Sequence, residues 1–480
     1  MTATEQAATH PRSVVGVPFS AEPGTGPMTW GQLHIWRPMR WFGDTSAAFN
    51  ISRVVVPDGD PMPVTVVREG FRRLVEAHQI LRTRFLDDAG GPRQIVAGTG
   101  VYPIEVEQIG DADPDATAEQ IARRLAGTPF RLGQEWPVRL GLACRDDRVH
   151  AVAVVASHVA LDGWGIERLT GFLAESLAGE PVDLSPSWQP LDQAEYEQSE
   201  RGRRQDAKAM AYWRARLTEL PDVPPSRPRL APSDPAVQSW SYRSNELARA
   251  SMLIAARSHT SSSAVLLTLA AAVLRAIRGE STTAVQLISA NRYTSRQQRL
   301  LSAAAQDGLL IFHDEDVTLD TAVQAVYRRA TEGYFHAQYH PDSLAALKAD
   351  AAHGRGHPVD LSGYFNDARM GRDWQVPDPW RAGLDEEPPE PAAPPRLVRG
   401  FERHDMTFCL SLAQRGASCE VSLLADTARL PQPHIPRVLL GLEAVLRAAA
   451  QREVAMREVP ALTGLPDDPT APFVNPSEHP

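Results

Sequence analysis

Ser157-His158-Val159-Ala160-Leu161-Asp162-Gly163-Trp164-Gly165 is the stretch on which the reading of this chain turns. Residues 150–156, just before it, form an apolar, β-branched run with the length and texture of a buried strand. After it, Gly163 and Gly165 lead into residues 166–177, which carry a helical pattern. Loops held between rigid elements are where binding and catalytic groups sit, and this junction is polar. The spacing His-x-x-x-Asp-Gly supplies an imidazole base and a nearby carboxylate.

Upstream, residues 138–144 and 149–156 read as strands on either side of the charged turn Arg145-Asp146-Asp147-Arg148. Ile80-Leu81-Arg82-Thr83-Arg84-Phe85 reads as a strand with Leu81, Thr83 and Phe85 on one face and Arg82 and Arg84 on the other. Residues 93–97 return as its hairpin partner. Val64, Val67, Phe71, Leu74, Val75 and His78 follow the spacing of an amphipathic helix behind Pro63. Residues 1–27 are polar with scattered Gly and Pro, and are expected to be a flexible arm.

Downstream, residues 193–220 predict one long charged helix. The proline-rich residues 221–236 are expected to link an N-terminal lobe, 28–220, to a C-terminal lobe, 237–464. In the second lobe, residues 240–247, 283–289, 308–312 and 359–366 read as strands. Residues 264–277, 319–339 and 436–450 read as helices, and 406–412 with 419–424 as a hairpin. Residues 377–395 are acidic and proline-rich and read as an irregular loop, and 465–480 as a disordered tail. Strands and helices interleave in both halves, which makes the fold class α/β with mixed sheets.

Composition narrows the function. At 480 residues the chain has room for two domains or more, and 43% hydrophobic with 22% charged residues is an ordinary globular balance. A formal charge of -10 argues against a nucleic-acid partner. Cys144, Cys409 and Cys419 are far apart and form no Cys-x-x-Cys pair, so neither a zinc site nor a disulfide framework is expected. No apolar run reaches the ~18 residues of a membrane span, and no leader pattern is visible. A cytoplasmic protein with no membrane partner is the expectation. His336 and His340 stand i, i+4 with no acidic third ligand nearby, and read as a helix end rather than a metal site.

Several stretches together resemble the condensation domains of nonribosomal peptide synthetases. His158-x-x-x-Asp162-Gly163 resembles that family's His-His-x-x-x-Asp-Gly motif, with Ser157 in place of the first His. Residues 28–36 resemble its opening motif, with a Gln and a Trp at the matching places. Ala77-His78-Gln79-Ile80-Leu81-Arg82-Thr83-Arg84-Phe85 is similar to its Arg-His-Glu-x-Leu-Arg-Thr-x-Phe. Asn291-Arg292 followed by Gly308-Leu309-Leu310-Ile311-Phe312 resembles its Asn-Arg…Gly-x-Phe region, without the Asn that follows that Phe. Residues 362–366, and 405–412 with 424–426, fit its C-terminal strands.

The resemblance implies two chloramphenicol-acetyltransferase-like lobes in a V with a central tunnel. It implies a condensation enzyme, freestanding here, that joins a carrier-bound acyl or aminoacyl thioester to an amine. The chain itself would bind no cofactor or metal. The phosphopantetheine arm would come from a partner acyl or peptidyl carrier protein, or the donor would be a coenzyme A thioester. The acceptor would be a small-molecule or carrier-bound amine or alcohol. Two alternatives stay open: an ester-forming or coenzyme A-dependent acyltransferase of the same superfamily, and a non-catalytic recruitment module.

The same resemblance distributes roles. His158 is the catalytic base or orienting group, because a neutral imidazole can accept the proton of the attacking nucleophile. Gly163 offers its N–H to the developing oxyanion. Asp162 points away from the tunnel and pairs with an Arg, for which Arg82 is the expected partner. Ser157 is a small polar structural residue. Trp164 and Asn366 are expected to contact substrate.

Overall fold

The computed structural model describes residues 12–57, 59–178, 188–224, 230–313, 315–369, 393–415 and 418–465. The chain divides into two compact units, Met1–Gln205 with Ala290–Gln306, and Asp206–Ser289 with Asp307–Pro480. Residues 290–306, expected in the C-terminal half, thus pack with the first unit.

Elements run in the order β1 (Arg12–Ser20), β2 (Gly24–Pro27), α1 (Trp30–Phe42), β3 (Asn50–Val55), β4 (Met62–Pro63), α2 (Val64–Ala77), β5 (Thr83–Asp88), β6 (Gly91–Val96) and β7 (Thr99–Gln108). There follow α3 (Pro114–Ala126), β8 (Val138–Arg145), β9 (Arg148–Ser157), α4 (Gly163–Leu177), α5 (Pro190–Gln198), α6 (Glu200–Leu217), β10 (Val237–Ser244), α7 (Asn245–Arg257) and α8 (Ser262–Arg278). The remainder is β11 (Thr282–Ser289), α9 (Ser295–Arg299), β12 (Gln306–His313), α10 (Leu319–Phe335), α11 (Pro341–Arg355), β13 (Gly363–Asp367), β14 (Arg396–Phe401), β15 (Phe408–Arg415), β16 (Ser418–Asp426) and α12 (His434–Gln451).

In the first unit the large sheet has the order β1-β7-β8-β9-β3, with β4 also on β9, and β2-β6-β5 form a small second sheet. Strand β9 lies between β8 and β3 and is buried along almost its whole length. That explains its unbroken Ala/Val run: a strand covered on both faces has no polar side to show. Helix α2 uses Val67, Phe71, Leu74 and Val75 as its buried stripe. Residues 12–27 are not an arm: Val17 and Phe19 are buried, and β1 pairs with β7 from Arg12↔Glu107 to Ser20↔Thr99. Residues 1–11 lie outside the described part, as do 370–392 and 466–480.

Two expected elements differ. Gln79–Arg82 is a 3-10 turn and only Thr83 starts the strand. The Thr83 hydroxyl donates to Gln79 O (2.7 Å), which holds the chain in the turn. The long helix over 193–220 is two helices, α5 and α6, broken at Ser199, whose backbone is extended. Ser199 Oγ then accepts from Gly202 N (3.2 Å), and a Cβ on Gly202 would lie 2.2 Å from Glu197 O, so only Gly permits this close approach.

In the second unit one sheet has the order β12-β11-β13-β15-β16-β10-β14. Its strands alternate strictly. Val285, Leu287, Leu310, Phe312, Phe365, Phe408, Leu410, Leu412, Val421 and Leu423 join the core made with α7, α8, α10 and α12. On the other face, Ala284, Leu309 and Ile311 pack with Trp213 of α6 and Leu344 and Leu347 of α11. Beyond β11 that second face changes character and carries Tyr364, Asn366, Cys409, Ser411 and Ser422. No single helix among the described residues is long and apolar enough to cross a membrane.

Candidate active site

The site is assembled at the end of β9. Ser157 N donates to Pro137 O (2.9 Å), and Ser157 O accepts from Ala160 N (2.9 Å) and Leu161 N (3.1 Å). This tight turn raises His158 out of the strand and sets Asp162 as the N-cap of α4. Asp162 Oδ1 accepts from Gly165 N (2.8 Å), a cap that satisfies a helix-terminal N–H left without a carbonyl partner.

Asp162 also reaches far along the chain. Its Oδ1 accepts from Arg292 Nη2 (3.1 Å), and its Oδ2 from the N–H groups of Ala304 (2.8 Å) and Ala305 (3.0 Å). Arg292 Nη1 donates to Ala290 O (2.8 Å) and Nη2 to Ser302 O (2.8 Å). Both side chains are almost fully enclosed, at 3% and 2% exposure, and burial presses the Arg292 guanidinium downward while Asp162 opposes that. The expected Asp162–Arg82 pair therefore gives way to Asp162–Arg292. Because Arg82 belongs to the turn and not to the strand, its Nη1 donates instead to Glu22 O (2.7 Å) and Ala97 O (2.7 Å), tying two loops. With its acceptor positions filled by structural donors, Asp162 has no free lone pair for proton transfer.

His158 is half-buried, and its Nδ1 is enclosed without a hydrogen-bond partner among the described residues. Burial lowers its pKa; Asp162 and the nearby backbone oppose that, and the His34 imidazole adds to the lowering. The ring is thus held neutral near pH 7, the form that accepts a proton. Gly163 is exposed, and a Cβ there would meet nothing within 4 Å, so neither backbone strain nor crowding demands Gly. As the first residue of α4 it has an N–H with no helical carbonyl behind it. Gly165 is the opposite case, since a Cβ would sit 3.1 Å from Leu161 Cδ2 and 3.2 Å from Ser302 O.

Residues 290–306 are clamped from several sides. Ala303 N donates to Ala160 O (2.8 Å), and the Trp164 indole Nε1 donates to Gln298 O (3.1 Å). Gln32 Nε2 reaches Ser302 Oγ (3.3 Å), and a Cβ on Gly31 would lie 2.5 Å from Ala304 Cα. Asn291, in the left-handed region at φ 54, donates its amide to Ala304 O (3.0 Å). Ser157 is fully buried and its hydroxyl makes no hydrogen bond among the described residues.

Ser157, His158, Asp162, Gly163 and Trp164 are therefore brought together, Arg82 stands apart at the β5–β6 sheet, and Asn366 belongs to the second unit, half-buried on β13. Arg292, Gln32 and His34 lie inside the motif stretches Asn291-Arg292 and 28–36, but motif likeness alone assigns them no role. His336 stacks on Tyr212 (ring centroids 4.6 Å apart) and His340 Nδ1 accepts from Asp342 N (3.1 Å), so the two histidines have separate structural duties. Among the described residues, no group of three or more His, Cys, Asp and Glu is placed to hold a metal.

The family described as Condensation domain matches residues 41–302. Phosphinothricin tripeptide synthetase PhsC of Streptomyces viridochromogenes is 29% identical over 289 residues, 56% of this chain and 26% of that protein. Chondramide synthase cmdD of Chondromyces crocatus is 25% identical over 229 residues, 45% of this chain and 6% of that protein. The chain thus spans about a quarter or less of these curated relatives. Among solved structures, the condensation domain of the monacolin K polyketide synthase MokA superposes with a TM-score of 0.71 at 17% identity, covering 91% of this chain and all of that one (100%). SgcC5 of Streptomyces globisporus gives 0.66 at 17% identity over 89% of this chain and 99% of that one, a likeness of fold.

Proposed function

Because the chain belongs to the condensation-domain family, whose members are amide-forming acyltransferases, we propose that it transfers an acyl or aminoacyl group from a thioester to an amine. The observation that carries this reading is the division of labour at the junction. Asp162 is fully engaged in holding the loop, which leaves a neutral His158 beside the exposed N–H of Gly163.

In the proposed step the amine lone pair attacks the thioester carbonyl carbon. His158 orients the amine and accepts its proton as the C–N bond forms. Gly163 N–H faces the carbonyl oxygen as it gains charge. Collapse of the intermediate breaks the C–S bond, and the thiolate leaves with a proton. Trp164 and Asn366 are proposed substrate contacts. The donor is proposed to ride on the phosphopantetheine arm of a carrier protein, with the chain acting in trans as a freestanding enzyme. A starter condensation domain of rhizomide synthetase RzmA has been captured with C8-CoA, so a coenzyme A donor is the second arm of the test.

The test is product formation followed by mass spectrometry, with carrier-loaded and coenzyme A-loaded donors offered in parallel against an amine panel. His158→Ala is expected to lower kcat/KM by about 10²–10⁴-fold without unfolding the chain. Full activity in that variant would remove His158 from the mechanism. No product from any thioester, with the fold intact, would favour the recruitment-module reading that the unpaired Ser157 hydroxyl leaves open.

A further inference from the structure

The polar half of the second unit's sheet holds a cation that nothing so far explains. Lys348 lies on α11, one residue past the buried Leu347. Its side chain is half-buried, yet its ammonium reaches Gln286 and Trp213, both fully enclosed, which places the charge at the inner end of a recess, and burial lowers its pKa. Its Nζ is 3.4 Å from Gln286 Oε1, a long contact with a neutral acceptor, and 5.5 Å from the centre of the Trp213 ring. Among the described residues no carboxylate lies within ion-pairing distance of it. Asp307 and Asp405 favour its charged form from further away, and Asp405 is paired with His404 at 3.0 Å.

The floor of the recess follows from strand register. Gln286 stands opposite Tyr364, and Tyr364 opposite Cys409, so the three lie in one row across β11, β13 and β15. The next row is Asn366 opposite Ser411. All of these share the face turned away from the apolar core, because Leu287, Phe365, Leu410 and Leu412 face it. Gln286 Nε2 is committed to Leu361 O (2.6 Å), which fixes its Oε1 toward Lys348. Tyr364 is half-buried, and burial pushes the pKa of its hydroxyl well up, with Asp307 and Asp405 adding to the rise.

An ammonium has three N–H donors, and burying it without a direct anion costs several kcal/mol. A site with one long neutral contact leaves donors over. We propose that Lys348, with Gln286 against it and Tyr364 next to Gln286 in the same row, is a binding site for a carboxylate group carried by the substrate. This rests on the acyl-transfer reading and names a chemical class for one of its substrates. Asn366, one row further on, lies on the same floor.

The experiment is calorimetric titration of the full chain with glutarate and with its uncharged counterpart glutaramide. Glutarate is expected to bind at least tenfold more tightly. Lys348→Met should abolish the difference and Lys348→Arg should retain part of it, with unfolding curves confirming that each variant is folded. Equal binding of the two probes, no binding of glutarate, or unchanged glutarate affinity in Lys348→Met would overturn the proposal. The acyl-transfer assay runs separately on uncharged amines. A glutarate preference with no transfer would sink the function but keep the site. Transfer with no glutarate preference would sink the site alone.

Discussion

Two cations, one in each unit, are treated in opposite ways: Arg292 is buried and Lys348 is half-buried. Arg292 is enclosed and held by direct partners, a carboxylate on Asp162 and the carbonyls of Ala290 and Ser302, with only its Nε left without a hydrogen bond among the described residues. Lys348 has one long contact to an amide oxygen and the face of the Trp213 ring, with Asp307 and Asp405 acting on it only from further away. The difference teaches where stability ends and readiness for a ligand begins. The direct ion pair rigidifies the loop that presents His158, whereas a charge with no direct anion is held at a cost, a departure from consistency that proteins make at functional sites.

The contrast is sharpened most by Asp162→Ala. It strands Arg292 and frees the N–H groups of Ala304 and Ala305, and is expected to cost about 3–5 kcal/mol in urea unfolding. Adding Arg292→Met to that variant should recover part of the loss, because the stranded charge goes with it. A double-mutant cycle showing no coupling would mean the pair is not a unit. Arg292→Lys keeps the charge but not the planar fork, and should cost about 1–3 kcal/mol through the unmade bonds to Ala290 and Ser302. Lys348→Met should be the mildest change, neutral or stabilising by about 1 kcal/mol in the same assay, since no direct ion pair is broken. A loss as large as that of Asp162→Ala would show that Lys348 is structural after all.

A third charge site adds a pH dimension. Glu197 on α5 accepts from Trp30 N (2.7 Å) at the start of α1 and from Gln193 Nε2 (2.8 Å). Burial pushes its carboxyl up from 4.5 to about 8. The folded state therefore holds a proton that the unfolded state gives up, so this stabilisation is complete below about 4.5 and is lost as pH rises through about 8. Wild type should lose stability relative to Glu197→Gln across that window. Parallel stability–pH curves for the two proteins would contradict the assignment.

Much of the site was legible because it is local. The buried strand, the polar junction and the helix after it occupy consecutive residues, so an unbroken apolar run followed by a helical pattern reads them directly; the capping role of Asp162 was not read. The partner of Asp162 was not legible, since Arg292 is 130 positions away and nothing in spacing ranks it above Arg82. The misplacement of Arg82 comes from an alternation that continues through Gln79–Arg82, where a side-chain bond from Thr83 favours a turn. Strand β1 escaped because its pairing with β7 decides it, and its Gly and Pro content points the other way. The Lys348 recess depends on which face of β11, β13 and β15 meets α11, a matter of tertiary packing alone.

The clasp at Asp162 also sets a timetable for synthesis. Its Oδ2 waits for backbone donors 142 and 143 positions downstream. A ribosome must therefore make the linker, β10, α7, α8 and β11 before the loop carrying His158 can lock. Until then the nascent first unit carries an uncapped seam where residues 290–306 will lie, and the loop carrying His158 is among the last parts of that unit to reach its final form.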